Sequence, residues 1–397
     1  MCDDYDYPVE EIPENFADVY AGCKPAFISR ASGRVELIGG HTDYNEGFVI
    51  AAAIGNCCWV AASKRDDNKI CLYSELTGQR HQFELSGDLE AARDCKWANY
   101  GRGVAALLLK EGLTLKGANL YIAGDVPVGA GLSSSAALEV SLAGAMIYIS
   151  QPEYKMQPIR LAQICQQAEN SYVNSPCGIM DQITSITATK DHAILLDCRD
   201  LSVGHLPFDS NNCRIMIFNS MVRHEVGAGE YGDRRRQCEQ ACAVLSKEYP
   251  DVRALRDVDE SMLNSSKSRL GPLLFSRAAH IIGENVRVLA AAAALGRNDM
   301  AEFGRLMCES HRSARDLYRI SCEQTDFLVE QLCRCDGAYG ARISGAGFGG
   351  VVVALVRPDA SEKISQTVSK AYKDRFALDC GIYLARPWQG TEIIELK

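Results

Sequence analysis

The chain has 397 residues, 47% of them hydrophobic and 23% charged, enough to bury a full core. At roughly 100–200 residues per domain it is expected to form two domains. A net charge of −9 excludes the basic surface that nucleic acid requires. The acidic start, Met1-Cys2-Asp3-Asp4-Tyr5, lacks the apolar core of a signal peptide, and no run is read as reaching membrane-spanning length, so a cytoplasmic protein with neither nucleic-acid nor membrane partners is expected.

The 17 cysteines are odd in number and scattered, often inside apolar runs such as Cys57-Cys58-Trp59-Val60. Without a secretion signal they read as buried free thiols of a reducing compartment. Neither Cys333-Arg334-Cys335 nor Cys238 with Cys242 has the usual zinc spacing, and neither is assigned a metal or a disulfide.

In chain order, residues 1–25 read as a loose lead-in with a short helix near 14–20. Strand character follows in runs over 26–30, 34–39, 47–54, 59–63, 70–74 and 81–85, with charged turns between them. Between the second and third runs lies Gly39-Gly40-His41-Thr42-Asp43-Tyr44-Asn45-Glu46-Gly47. These side chains suit either an ordinary hairpin loop or a ligand contact, since Asp and Asn are common turn residues. Trp97-Ala98-Asn99-Tyr100 opens a helix that runs to Lys110, its aromatics serving either as core or as a pocket lining.

The organising stretch comes next. An apolar run over 118–123 passes through a turn with Pro127, Gly129 and Gly131 and becomes a long Ala/Leu/Val-rich helix. Ser133, Ser134 and Ser135 stand where N-caps stand, and glycines let backbone N–H groups approach an anion that the helix dipole also favours. A Ser-capped turn that holds nothing is the alternative. Two glycines and three hydroxyls with no charged side chain between Gly129 and Ala137 favour a phosphate cradle. The chain contains no Gly-Lys dipeptide, which excludes a Walker-type loop, and no HRD or DFG triplet, which argues against a protein-kinase fold.

A helix over 158–173 places Glu169 near its C-terminal end, where the dipole disfavours a carboxylate; Glu169 is either solvated or compensated by a cation. Asp181, in Cys177-Gly178-Ile179-Met180-Asp181-Gln182, reads by itself as a helix-start acid. Strands over 193–198 and 214–219 close the first half, with a domain boundary placed near residue 208 (1–208 and 209–397). A basic helical segment, Tyr231-Gly232-Asp233-Arg234-Arg235-Arg236, opens a helix-rich stretch that lasts to Ala338. Ile343-Ser344-Gly345-Ala346-Gly347-Phe348-Gly349-Gly350 matches G-x-G-x-x-G. A β-branched run follows it instead of a helix, so the dinucleotide context fails and a turn packed beside the first glycine loop is expected.

Three blocks in order, Gly33-Arg34-Val35-Glu36-Leu37-Ile38-Gly39-Gly40-His41-Thr42-Asp43-Tyr44-Asn45, 127–137 and 343–350, resemble the galactokinase branch of the GHMP small-molecule kinases, and the resemblance runs over about residues 25–390. It implies an α+β fold with an N-terminal α+β domain, a C-terminal ferredoxin-like α+β domain and an active site between them. The activity implied is ATP- and Mg²⁺-dependent phosphorylation of the anomeric hydroxyl of galactose or a close derivative, by a monomer or weak dimer. Carried onto this chain, Gly129, Ala130, Gly131, Leu132, Ser133, Ser134 and Ser135 would wrap the ATP phosphates, with Trp97 and Tyr100 at the adenine. Ser135 and Glu169 would bind Mg²⁺. Asp181 would ready the sugar hydroxyl with Arg34 beside it, and Gly40, His41, Asp43, Gly178 and Tyr231 would face the sugar.

The chain departs from the family pattern with Glu36 where the family has Asn and Gly40 where it has a Glu that contacts the sugar's 6-hydroxyl, and in lesser ways with Ser32 for Pro and Val49-Ile50-Ala51 for Val-Leu-Pro. Two readings follow from Gly40: Glu36 or water replaces the missing carboxylate, or Gly40 makes room for a C6-modified sugar such as galacturonate. A non-catalytic sugar and ATP sensor is a separate alternative, against which the presence of Ser133, Ser134, Ser135, Glu169, Asp181 and Arg34 counts. In an otherwise ordinary pocket Gly40→Glu is expected to improve galactose use.

Overall fold

The computed structural model describes residues 9–86, 88–175, 177–222 and 227–396. The N-terminal residues in which no signal peptide was read lie outside the described residues.

Eight strands form the first sheet: β1 (Phe27–Ile38), β2 (Phe48–Lys64), β3 (Lys69–Ser74), β4 (Gln79–Glu84), β5 (Ala118–Gly124), β6 (His192–Asp197), β7 (Val203–Pro207) and, from the far end of the chain, β12 (Glu392–Glu395). The order is β12-β1-β2-β5-β3-β4, with β6 paired to β2 and β7 to β6. The separate runs expected over 26–30 and 34–39 are one strand, and so are 47–54 and 59–63. Gly33 turns nothing. A Cβ there would stand 2.8 Å from the Leu132 carbonyl, and the Arg34 amide donates to that same oxygen at 3.0 Å, so Gly33 is where the glycine loop lies down on β1. All 12 residues of β1 are buried, because the helices Ser134–Ser150, Met180–Thr187, Lys267–Gly296 and Met300–Ser313 all pack against it.

Four strands, β8 (Arg214–Asn219), β9 (Ala338–Ser344), β10 (Val351–Val356) and β11 (Gly381–Ala385), form the second sheet in the order β11-β8-β10-β9, antiparallel throughout. Fourth-first-third-second is the ferredoxin-like winding. The helices Glu323–Arg334 and Ser361–Phe376 bury Leu328, Leu332, Ile364 and Val368 against it with Phe218 and Val352. Residues 214–219 therefore open this sheet and do not close the first half. β7, β11 and β12 are short and half-exposed, and their sequences carried no clear alternation.

Among the described residues one helix, Lys267–Gly296, is long and apolar enough to cross a membrane by length and composition, which corrects the expectation that no run reaches that length. It bends at Gly271 (φ 66°) and Pro272, packs against Gly227–Leu245, Met300–Ser313 and the first sheet, and buries Arg277, His280 and Glu284. These polar and charged side chains have protein partners, so the helix belongs to the protein core.

Candidate active site

The glycine loop is built as its composition suggests, with one reassignment. Gly129 (φ 74°) and Gly131 (φ 71°) hold left-handed turns and Ser133 a third (φ 58°), leading into the helix Ser134–Ser150. Ala130 and Leu132 are buried and anchor the loop, while Gly129 and Gly131 face outward. Ser133 occupies the N-cap position but makes no side-chain cap; its hydroxyl donates to Asp181 Oδ2 instead. The first-turn amides of a helix that could bind an anion are thus not taken up by the cap serine.

Asp181 sits in the first turn of the helix Met180–Thr187, and what marks it is its partners. Arg34 Nε and Nη2 donate to its two oxygens at 2.7 Å each, and Arg34 Nη1 donates to the Gly131 carbonyl at 2.7 Å. This bidentate fork fixes the carboxylate plane. The Arg34 side chain is 7% exposed and that of Asp181 22%, so the pair is sheltered but open on one side. Acid, guanidinium and glycine loop form one hydrogen-bonded unit.

Glu169 begins a π-helical turn, Glu169–Val173, that continues Pro158–Ala168. It is 5% exposed and takes hydrogen bonds from Gln182 Nε2 (3.0 Å), Cys177 Sγ (3.3 Å) and the Ser135 side chain. None of these partners carries a positive charge, and burial raises its carboxyl above the usual range. Gln182 Nε2 also donates to Glu139 Oε2 at 3.2 Å. Glu139 is wholly buried beside Glu169, and burial raises its carboxyl well above the ordinary value, with the Glu169 charge adding to the shift. Buried carboxylate and hydroxyl oxygens at the loop suit a hard divalent cation that takes its other ligands from phosphate and water. Tyr100 lies against the same group, its phenol raised by burial and by Glu169 and Glu139. Trp97 points elsewhere: its indole N–H donates to Gln79 Oε1 on β4 at 2.9 Å.

The polar segment 39–45 closes the other side. His41 adopts φ 64° and is 5% exposed. Its Nε2 lies 3.2 Å from the Ala346 carbonyl, which can only accept, so Nε2 carries the proton and Nδ1 accepts from Tyr44 Oη at 2.7 Å. The chain continues from Tyr44 to the Tyr318 hydroxyl (2.8 Å) and from there to the Cys238 thiol (3.0 Å). Burial pushes His41 down to about 3, which keeps it neutral. The 343–350 turn is therefore tied to the 39–45 segment through Ala346. It also lies beside the first glycine loop, since a Cβ on Gly345 would stand 3.9 Å from the Gly131 carbonyl.

Burial raises Asp43 to about 6, with Glu36 and Asp181 adding to the shift. A Cβ on Gly178 would fall 1.7 Å from Asp43 Oδ2, so glycine is required where that carboxylate meets the segment leading to Asp181. Tyr231 packs over His41 (ring centroids 5.3 Å apart) and Tyr44 (5.5 Å), and its phenol is raised by burial and by Asp43, Tyr44 and Asp181. His41, Asp43, Gly178, Asp181 and Tyr231 converge on one place.

At Gly40 the structure changes the expectation. The space is not free: a Cβ would meet Arg342 Nη2 at 2.6 Å. Arg342, 1% exposed, donates to Glu36 Oε1 at 2.6 Å and to Ser310 Oγ at 3.1 Å, and Ser310 donates to Glu284 Oε1 at 2.5 Å. Arg342, Glu284 and His280 were not picked out from the sequence. The available signal was an Arg inside the apolar stretch Ala341-Arg342-Ile343 and a His and a Glu on the buried stripe of a long apolar helix. Glu36 supplies a carboxylate here, so the Gly40 change neither opens room for a C6 substituent nor removes negative charge from this region.

Comparison with known proteins agrees with this geometry. Residues 99–189 match the GHMP kinases N terminal domain, residues 291–374 the GHMP kinases C terminal domain, and residues 14–64 the galactokinase galactose-binding signature. The chain is similar to a galactokinase of Roseiflexus sp. (strain RS-1), 41% identical over 382 residues and covering 96% of each chain. It is similar to a galactokinase of Homo sapiens, 40% identical over 382 residues, 94% of this chain and 93% of that one. Among solved structures it is similar to Lactococcus lactis galactokinase complexed with galactose, with a TM-score of 0.91 and 30% identity over 97% of this chain and 100% of that chain. The chain belongs to the galactokinase branch of the GHMP kinases.

Proposed function

We propose that this sugar kinase transfers the terminal phosphoryl group of ATP to the anomeric hydroxyl of galactose. The observation that carries the proposal is the direct joining of Asp181 to the glycine loop, through Arg34 to Gly131 and through Ser133. A hydroxyl held at Asp181 stands next to a phosphate held at the loop, and phosphoryl transfer depends mainly on such positioning.

Asp181 orients the sugar hydroxyl and accepts its proton. Arg34 fixes the carboxylate and brings positive charge to the same place. Gly129 to Ser135 take the phosphates on backbone N–H groups and the helix N-terminus, with Tyr100 toward the base and Trp97 held away from it by its bond to Gln79. His41, Asp43 and Tyr231 bind the sugar, with Gly40 and Gly178 in the walls. Ser135 and Glu169 would hold Mg²⁺, which supplies charge neutralisation of the phosphate oxygens when bound. A division of the chain near residue 208 is supported by the gap between β7, ending at Pro207, and β8, starting at Arg214, although β12 returns to the first sheet. The free thiols among the described residues support a reducing, cytoplasmic setting, and we take the working form as a monomer or weak dimer.

ADP release measured over galactose, galacturonate, talose, N-acetylgalactosamine and glucose tests the proposal. Turnover on galactose above the others is expected. Turnover on none, with tight binding of one sugar, would identify a sensor, and preference for galacturonate would overturn the choice of substrate.

A further inference from the structure

Cysteine is frequent in this chain, and several of its thiols are accounted for by burial or a site contact. Cys57, Cys58, Cys165, Cys213 and Cys238 are buried, and Cys177 donates to Glu169. Cys308 and Cys333 differ. Cys308 lies on the helix Met300–Ser313 and Cys333 on Glu323–Arg334, and their sulfurs stand 2.8 Å apart, inside ordinary sulfur contact. Cys333 is exposed and Cys308 partly so.

We propose that Cys308 and Cys333 are an oxidisable dithiol that a peroxide converts into a disulfide clamping these two helices together. The two thiols have unequal roles. Arg312 lies one turn beyond Cys308, its Nε 3.4 Å from the Cys308 carbonyl. The hydrogen bond between the two thiols holds Cys308 below its ordinary value and raises Cys333, and the charge of Arg312 favours the thiolate at both. Both sulfurs are open to a peroxide, and the one with the lower thiol pKa meets it as the nucleophile. The Cys308 thiolate attacks one peroxide oxygen, breaking the O–O bond; the departing hydroxide takes a proton and leaves as water, and the sulfur becomes a sulfenic acid. Cys333, already in contact, gives up its proton and attacks that sulfur. The S–S bond forms, hydroxide leaves and takes the proton, and a second water results. Two thiols lose two hydrogens and two electrons, and one peroxide becomes two waters.

The position gives the bond something to act on. Two residues beyond Cys308 on the same helix, Ser310 holds both Arg342 and Glu284. Its neighbour His311 lies 3.1 Å from Asp326 on the second helix, so the two helices already meet at a polar contact and a disulfide would add a covalent one. The inference does not depend on which substrate the enzyme uses.

The test exposes the folded full chain to equimolar hydrogen peroxide, alkylates the remaining thiols and digests without reductant. The expected product is a peptide pair joining Cys308 to Cys333, two hydrogens lighter than the reduced pair and released by dithiothreitol. In Cys333→Ser the cross-link disappears, and a sulfenic-acid reagent such as dimedone labels Cys308 after peroxide. Full alkylation of both cysteines after peroxide, oxidation of either to a sulfinic acid without a cross-link, or no dimedone label on Cys308 in Cys333→Ser would overturn the proposal. Cys308→Ser should leave Cys333 alkylated at the same peroxide dose, and its oxidation there would refute the assigned order of attack.

Discussion

Gly40→Glu gives the sharpest separation between what the family pattern suggests and what this pocket permits. The pattern alone predicts better galactose use. In this structure a Cβ at residue 40 lies 2.6 Å from Arg342 Nη2 and 3.5 Å from Glu36 Oε1. Arg342 cannot yield cheaply, because it is fully buried and bonded to Glu36 and Ser310. A second carboxylate would have to share one guanidinium with Glu36. Two such charges about 4 Å apart repel by about 4 kcal/mol at an effective dielectric of 20. If the introduced carboxylate instead takes the guanidinium for itself, Glu36 is left buried without its partner, at a cost of roughly 3–5 kcal/mol.

Both routes converge on a loss of about 3–5 kcal/mol in folding stability for Gly40→Glu, together with weaker sugar binding. Glu36→Gln alone should also destabilise, since it strands Arg342. The double variant again offers one carboxylate to one guanidinium. It should recover much of the loss, with an interaction energy of at least about 1–3 kcal/mol in the double-mutant cycle. Urea unfolding of the four proteins gives the stabilities, and ADP release gives kcat/KM for galactose. A Gly40→Glu protein as stable as the parent, or a double variant equal to the sum of the singles, would refute the reasoning.

Other outcomes follow from the same contacts. Asp181→Asn should lower kcat by about 10²–10⁴-fold, the range for losing a positioned base, while nucleotide affinity measured by calorimetry stays within a few-fold. Gly178→Ala drives a methyl into Asp43, so KM for the sugar should rise with little change in nucleotide binding, as read by steady-state kinetics. Acid should destabilise the protein through His280, which burial pushes from 6.5 down to about 4 between Ser313 and the Gly40 carbonyl. The unfolded chain then binds the proton first, so stability is complete above pH 6.5 and falls as pH drops toward 4. This amounts to about 2 kcal/mol between pH 7 and pH 5, His41 adds a similar amount in the same window, and His280→Gln should make that part of a urea-unfolding profile shallower by about the His280 share. Asp43, raised to about 6, acts oppositely: its contribution falls as pH rises from 3.8 through 6.

What the sequence disclosed was mostly local chemistry. The run of glycines and serines before an apolar helix marks the cradle, and Glu169 at the end of a helix poses an electrostatic question that a cation would answer. What stayed hidden was partner choice across the chain. Ser133 has the residue type of an N-cap, yet its hydroxyl serves Asp181, because a hydrogen bond to an ionised carboxylate fixed by Arg34 is stronger than one between a neutral hydroxyl and a first-turn amide. Arg342 and Glu36 are 306 positions apart, and no periodicity relates them.

The glycines carry the same distinction. Gly33, Gly40 and Gly178 read as turn or loop residues, but none of them has a positive φ. Each is small because an atom from a remote segment stands where its side chain would begin: the Leu132 carbonyl, the Arg342 guanidinium and the Asp43 carboxylate. Those three contacts bring the glycine loop, the second sheet and the 39–45 segment onto β1 and the approach to Asp181. The missing side chains therefore allow the parts of the site to converge, and a larger residue at any of the three would separate groups that the proposed transfer needs within one hydrogen bond of each other.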